Sequence, residues 1–311
     1  MTQSDRYLRG IIAIIAASVI WGTTGTAASL APAVSPLAIG AFAMGGGGLL
    51  LVISALGELM QARGLLRRHW RSLVVGGLSV AVYPLAFYSS MRLSGVAIGT
   101  VVSIASAPLF TVVLEWLLSG KRISLRWGAS FVIGALGILL LALGKSPAGA
   151  GMAASGLPYL GVALGLLAGL SYALYSWVAR HLIEQGMDSK AAMASMFGLA
   201  ALLLLPSLAV TGHNLFAGLT HTSVALYMAL IPMFIGYLCF GYGLRYIAAS
   251  TATLITLLEP VVAVVLAVVI VGERLSPAGW VGIPLIICSL LLMTLRLPGP
   301  STKADPLSSE L

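Results

Sequence analysis

The 311-residue chain is 59% hydrophobic and only 8% charged, with a mean hydropathy of +1.04. Soluble domains carry about a quarter charged residues, so this composition excludes a soluble globular protein and indicates an integral membrane protein. The formal net charge of +8 does not indicate nucleic-acid binding, because the basic residues lie between the apolar runs, where membrane topology places them.

Apolar runs that are long enough to cross a bilayer occur along the whole chain. About 20 helical residues, at 1.5 Å each, span the roughly 30 Å hydrocarbon core. The predicted spans are 10–30, 36–56, 73–91, 96–118, 127–143, 158–180, 191–210, 223–244, 250–271 and 279–295. The first run precedes Ala31-Pro32-Ala33, which mimics a signal-peptide cleavage site, but its length favours a retained helix. We therefore predict an all-α membrane protein with ten transmembrane helices.

The basic residues predict the orientation of these spans. If the N-terminus is inside, fourteen of the 17 Lys and Arg residues lie on the cytoplasmic side, and only Arg92, Lys145 and Arg274 lie outside. The positive-inside rule then places both termini in the cytoplasm.

A motif in the fourth run recurs in the ninth. Pro108 and Pro260, each followed by Val-Val-Leu, and then Gly120 and Gly272, are separated by the same 152 positions. The chain is therefore predicted to be a duplication, with repeats at 1–147 and 157–297 and a disordered cytoplasmic tail at 298–311. Each repeat has five spans, an odd number, so the second copy must cross the membrane in the inverted sense.

Patterns typical of enzymes are missing from the sequence. The run Gly45 to Gly48 lacks the Lys-Ser/Thr of a phosphate-binding loop. Aspartate occurs only at Asp5, Asp188 and Asp305, all outside the predicted spans, and no histidine lies inside one. We therefore expect no enzymatic activity, no cofactor and no metal site.

Aromatic and polar side chains gather inside the first, third, fourth, sixth and eighth spans, and they indicate either a substrate cavity or core packing. A tyrosine at membrane depth needs a partner for its hydroxyl, which a mostly apolar cavity with a few polar contacts could supply. Tyr83 and Phe87, at i and i+4, are expected to stack. The candidate cavity residues are Trp21, Thr24, Tyr83, Phe87, Ser103, Tyr172, Tyr175 and Tyr237.

Glu259 is the carboxylate of the ninth span. An ionisable group at membrane depth costs about 2.5–3.5 kcal/mol, so it should face the protein interior, near Thr256. It is a candidate proton-coupling site, with the alternative that it only hydrogen-bonds groups freed by Pro260. Helix breaks at Pro84, Pro108 and Pro260 are expected to offer backbone groups to a substrate.

The glycines Gly161, Gly165 and Gly169 form a smooth face on the sixth span. Such a face lets another helix approach closely. It predicts either internal packing or a dimer seam, and a monomer is expected if the packing is internal.

The pattern resembles the drug/metabolite transporter superfamily, specifically its EamA-type ten-helix proteins, over residues 8–296. The resemblance rests on Trp21-Gly22, on Leu258-Glu259-Pro260 and on Gly272-Glu273-Arg274-Leu275-Ser276. The first repeat departs from the pattern, since Ala107 precedes Pro108 and Lys121 replaces a glutamate, so only the second repeat can bear the family's carboxylate. Within the superfamily the chain most resembles YddG-like exporters of aromatic and other amino acids.

This resemblance implies a secondary transporter of the cell inner membrane. It would export small amphipathic metabolites, above all amino acids, by alternating access through a central cavity lined by helices one, three, four, six, eight and nine. Its partners would be the small-molecule substrate and the lipid bilayer. A lipid or carrier flippase of the same superfamily stays open as the alternative.

Overall fold

The computed structural model describes residues 2–144 and 158–295. Within these ranges, ten helices are long and apolar enough to cross a membrane, which confirms the predicted all-α membrane fold. They are α1 Gln3–Ser29, α2 Pro36–Ser54, α3 Trp70–Ser94, α4 Ile98–Ser119, α5 Leu125–Leu143, α6 Tyr159–Glu184, α7 Ser189–Thr211, α8 Leu219–Gly243, α9 Ala249–Val271 and α10 Pro277–Thr294. Two short helices, Leu56–Gln61 and Arg63–Arg68, connect α2 to α3.

The helix boundaries agree with the predicted spans to within four residues, except at the start of α1. There the helix begins at Gln3, because Thr2 and Asp5 form a capping box. The Asp5 backbone N–H donates to the Thr2 hydroxyl at 3.2 Å, and the Thr2 N–H donates to the Asp5 carboxylate at 2.9 Å. These bonds satisfy helix-end donors and extend α1 beyond its apolar part.

The packing of the helices follows the predicted duplication. Two pairs join equivalent helices of the two repeats: α5 packs on α10, and α2 packs on α7. The other contacts occur twice: α3 and α4 pack on α6, and in the same way α8 and α9 pack on α1. If each helix in these pairs is replaced by the helix five places away in the chain, the same set of pairs results. Two repeats related by a two-fold axis require this pattern. Because each repeat has five spans, the two repeats are inverted. The predicted repeat limits at 147 and 157 and the tail 298–311 lie outside the described residues.

Prolines interrupt these helices at places that only partly match the prediction. Helix α9 is broken between Ile255 and Leu258, and Pro260 is the third residue of the helical segment after the break. The Thr256 carbonyl accepts from the Glu259 N–H at 3.0 Å. The predicted breaks at Pro84 and Pro108 are wrong, since both helices continue through the ring. A proline removes one backbone donor, and transmembrane helices tolerate that loss where neighbouring groups satisfy the freed carbonyl. In α8, the stretch Ala229–Ile235 around Pro232 is instead a π-helix.

The glycine face of α6 packs inside the bundle. A Cβ atom added at Gly161 would lie 2.6 Å from the backbone nitrogen of Ser94, and one at Gly165 would lie 2.8 Å from the Ser90 hydroxyl. Of the two alternatives, internal packing against α3 and α4 is therefore the correct one.

We expect Gly165→Val to lower thermal stability, because the added side chain must displace atoms of α3 and α4. Overpacking of this kind costs about 1–3 kcal/mol. The matched control is Gly128→Val in α5, where an added Cβ meets no atom within 4 Å. Thermal unfolding of both variants in detergent checks the expectation, and equal midpoints would contradict it.

Candidate functional site

A cavity lies between the two repeats, near the middle of the helices. Its wall is built by helices α1, α2, α3, α6, α8 and α9. The lining residues are Trp21, Thr24, Gly40, Ala43, Met44, Tyr83, Pro84, Phe87, Tyr88, Tyr172, Tyr175, Met228, Met233, Tyr237 and Glu259. Seven of the eight candidate cavity residues and Glu259 thus meet around one space, although they come from both halves of the sequence.

Seven of the fifteen lining residues are aromatic. The Trp21 ring lies 4.8 Å from that of Tyr237 between centroids, and the rings of Tyr172 and Tyr175 lie 5.1 Å apart. Tyr83 and Phe87 stack at 5.7 Å with an interplanar angle of 22°, as the i, i+4 spacing predicted. The wall is therefore apolar, and its ring faces are available for contact with apolar or cationic groups.

Hydrogen bonds hold several of these rings in place. The Tyr172 hydroxyl donates to the Thr256 hydroxyl at 3.0 Å, at the break in α9. The hydroxyls of Tyr175 and Tyr237 lie 2.9 Å apart. The Trp21 indole N–H donates to the carbonyl of Pro232 at 2.9 Å, within the π-helical stretch of α8. The irregular parts of α8 and α9 thus anchor rings from α1 and α6, so that the two repeats share one aromatic wall.

Three polar groups in the cavity are left without such anchors. Within the described part of the chain, the hydroxyls of Tyr83 and Tyr88 and the carboxylate of Glu259 form no hydrogen bond to the protein. Glu259 lines the cavity and is the second residue of the helical segment that follows the break in α9. A carboxylate at membrane depth without a protein partner is costly, so it needs water, a proton or a bound cationic group.

Ser103 does not belong to this site, which corrects the sequence prediction. It is buried in α4, and a Cβ added at Gly169 of α6 would lie 2.8 Å from the Ser103 carbonyl oxygen. Helix α4 packs closely on α6 along this face, so it contributes nothing to the cavity wall. Pro108 and Pro260 are not among the lining residues either.

Helix α2 takes the place in the wall that was predicted for α4. Gly40, Ala43 and Met44 lie on one face of α2, at i, i+3 and i+4. Sequence reasoning missed them because they carry no hydrogen-bonding or aromatic group. The small side chains of Gly40 and Ala43 are the one indication in the sequence that α2 borders a cavity, since small residues leave room beside a helix.

Comparisons with known proteins agree with this architecture. The sequence model of the EamA-like transporter family matches residues 8–143 and 159–295, one match in each repeat. The chain is 32% identical over 284 residues to the uncharacterized transporter YwfM of Bacillus subtilis, covering 90% of this chain and 92% of that one. It is 28% identical over 283 residues to protein PecM of Dickeya dadantii, covering 89% of each chain.

More distant similarities fit the same picture. A probable terminal-alkyne amino-acid exporter of Streptantibioticus cattleyicolor is 27% identical over 214 residues, which is 65% of each chain. A solved structure that is 20% identical superposes with a TM-score of 0.75 over 94% of this chain and 96% of that one, which shows a shared fold. Since the family model matches both repeats and a relative at 32% identity is covered almost entirely, this chain belongs to the EamA-like transporter family.

Proposed function

We propose that this transporter exports small amphipathic metabolites, above all amino acids, across the inner membrane by alternating access. The observation that carries the proposal is the composition of the cavity: an aromatic wall with a few unpartnered polar groups, enclosed by two inverted repeats. Small-molecule sites typically combine apolar walls with a small number of placed polar groups. The similarity to a probable exporter of an amino acid supports the same substrate class.

The polar groups of the cavity match the two charged ends of an amino acid. The carboxylate of Glu259 would pair with the substrate ammonium, and the surrounding ring faces would add cation–π attraction. No Lys or Arg side chain is among the described lining residues, so the substrate carboxylate would be bound by hydroxyls, with Tyr83 and Tyr88 as the free donors. The substrate side chain would rest against Trp21 and Phe87. A site with so few fixed charges should bind weakly and broadly, as suits an exporter that relieves high internal concentrations.

Counterflow in proteoliposomes tests this proposal. Liposomes preloaded with one unlabelled amino acid should accumulate a labelled one faster than empty liposomes do, across a panel that includes aromatic and aliphatic side chains. Movement of a labelled lipid in the same preparation, without exchange of any amino acid, would favour the flippase alternative and contradict the proposal.

The orientation of the bundle is part of the proposal. We expect both termini and the turn between α4 and α5 on the cytoplasmic side, because the positively charged residues concentrate there. In intact cells, a membrane-impermeant reagent should modify Arg274→Cys after α9 and leave Arg68→Cys before α3 unmodified. Modification of both positions from the same side would contradict the inverted arrangement of the two repeats.

A further inference from the structure

A second carboxylate within the spans, that of Glu115, lies where α4, α6 and α8 end and α9 begins. Its side chain is at the end of α4, and the residue is only 3% exposed. One carboxylate oxygen accepts from the backbone N–H of Ala249 at 3.0 Å, and the other accepts from the Ser250 hydroxyl. Ala249 is the first residue of α9, so Glu115 caps a helix N-terminus, where free N–H groups and the helix dipole favour negative charge.

Ion pairs extend this cap across the end of the bundle. The Lys121 ammonium lies 3.8 Å from the Glu115 carboxylate and 3.1 Å from that of Glu184 on α6. Arg180 donates to Glu184 at 2.8 Å and also to the Leu244 carbonyl at the end of α8. We call Glu115, Lys121, Glu184 and Arg180 the latch, and this end of the bundle the latch end. The bonds from Glu115 to α9 and from Lys121 to α6 join the first repeat to the second.

The cavity extends from the middle of the helices towards the end of the bundle opposite the latch. Thr24 is five residues from the opposite end of α1, and Gly40 is four residues from the opposite start of α2. Towards the latch end, the fully buried rings of Phe197 and Phe240 close the space beyond Tyr175 and Tyr237. The described conformation is thus closed at the latch end.

The duplication does not reproduce the latch at the other end. The position related to Glu115 by the 152-residue offset is Ala267, and the position related to Lys121 is Glu273. All five ion pairs among residues 2–144 and 158–295 lie at the latch end, whereas Glu273 and Arg274 are exposed. Among residues 2–144 and 158–295, one end of the path is therefore held by ion pairs, and the other has no equivalent.

We propose that Glu115 is a positioning residue of the transport cycle, which holds the latch end closed and must release α9 before the path opens there. The inference rests on the alternating-access function proposed above. Separation of α4 from α9 would leave the Glu115 carboxylate without Ala249 and Ser250, and would expose it to the opening cleft together with Lys121 beside it. Water entering the opening cleft would hydrate both charges, which makes the latch reversible.

Cysteine accessibility tests this proposal without any transported substrate. Ala179 lies on α6 one turn from Tyr175 towards the latch end and is fully buried. In a background with Cys239→Ser and Cys288→Ser, the reporter Ala179→Cys should react slowly with a membrane-impermeant maleimide in inside-out vesicles. Adding Glu115→Gln, which keeps the shape but loses the charge, should raise that rate roughly tenfold, since hydrogen bonds to charged groups contribute about 1.5–3 kcal/mol.

Two controls separate a latch from general stabilisation. Glu58→Gln removes a carboxylate that pairs with Lys190 at the same end but outside the latch, and it should leave the rate unchanged. A second reporter, Ser130→Cys, is buried in α5 against α10 and should not respond to Glu115→Gln. If Glu115→Gln does not fold, Lys121→Gln should raise the Ala179→Cys rate by a smaller factor, because Lys121 is 39% exposed.

Equal Ala179→Cys rates in the parent and the latch variants would overturn the proposal, as would a parallel rise at Ser130→Cys. A failure of amino-acid counterflow with a normal accessibility response would instead count against the proposed substrate and leave the latch intact.

Discussion

Glu259→Gln is expected to reduce transport of amino acids by about 10- to 100-fold, which is the largest effect that we anticipate. The substitution keeps the shape and hydrogen-bonding capacity of the side chain but removes the charge that would pair with the substrate ammonium. A hydrogen bond to a charged group contributes about 1.5–3 kcal/mol, and each 1.4 kcal/mol corresponds to a factor of ten. Counterflow rates for the parent and the variant measure the effect.

The matched control for this variant is Glu273→Gln, since Glu273 lies exposed in the turn after the same helix and should be silent. Analogues of the substrates that lack the amino group provide a second comparison, because their transport should be little affected by Glu259→Gln. Equal losses for substrates with and without an ammonium would assign Glu259 to the packing around the α9 break.

The same variant also tests proton coupling. Secondary transporters often place a carboxylate at membrane depth as a proton site, and glutamine does not titrate. If Glu259 couples transport to protons, then the dependence of transport on an imposed pH gradient should disappear in Glu259→Gln. A gradient response that persists in the variant would remove the coupling role and leave ammonium binding as the function of this residue.

Tyr83→Ala is expected to change the ranking of substrates rather than to abolish transport. The ring stacks on Phe87, lines the cavity, and its hydroxyl has no protein partner among the described residues, so its loss should not unfold the bundle. Aromatic pairs contribute about 0.5–1.5 kcal/mol beyond area burial, so the preference for aromatic over aliphatic amino acids should fall by roughly 2- to 10-fold.

Two further substitutions serve as controls for the effect of Tyr83→Ala. Tyr83→Phe keeps the ring and should retain the preference for aromatic side chains, which separates the ring from the hydroxyl. Tyr159→Ala removes an exposed tyrosine at the start of α6 and should change nothing. An unchanged ranking in Tyr83→Ala would mean that this ring only packs. Tyr175 is a poorer test, because it is 1% exposed and hydrogen-bonded to Tyr237, so its truncation would also destabilise the fold.

The membrane spans and the repeat were predictable from the sequence because they depend on quantities that are local or periodic. Hydropathy over about 20 residues identifies a span, since the bilayer core fixes its length. The constant offset between Pro108 and Pro260 identified the duplication, and the odd number of spans in each repeat then determined the inversion. None of these steps requires knowledge of how one helix is rotated against another.

Which residues of a span face the cavity depends on the rotation of each helix about its axis. The hydropathy of a span does not reveal that rotation. Ser103 has the composition of a cavity residue, but the close packing of α4 on Gly169 turns it away from the cavity. Gly40 and Ala43 lack functional groups, yet α2 presents them to the cavity because its other faces pack on α7 and α3. The breaks predicted at Pro84 and Pro108 do not occur, since the neighbouring helices decide whether a proline interrupts a helix.

The burial of Glu115 could not be predicted from the sequence for a different reason. It lies close to the end of α4, where a charged side chain ordinarily meets solvent, so its position in the sequence gives no reason to expect burial. Its partner, the backbone of Ala249, is 134 residues away. Only the arrangement of the two repeats brings the first N–H groups of α9 to this carboxylate.

The most direct test of the central claim, that this cavity holds the transported molecule, is protection of a cavity cysteine by substrate. Thr24 lines the cavity, and its hydroxyl bonds only to the carbonyl of Trp21 in its own helix, so Thr24→Cys should fold in the background that lacks Cys239 and Cys288. An amino acid that exchanges in counterflow should slow modification of this cysteine by a small thiol reagent, in proportion to its occupancy of the site. Modification at the same rate with and without saturating amounts of an exchanged amino acid would show that the substrate binds elsewhere and would contradict the account.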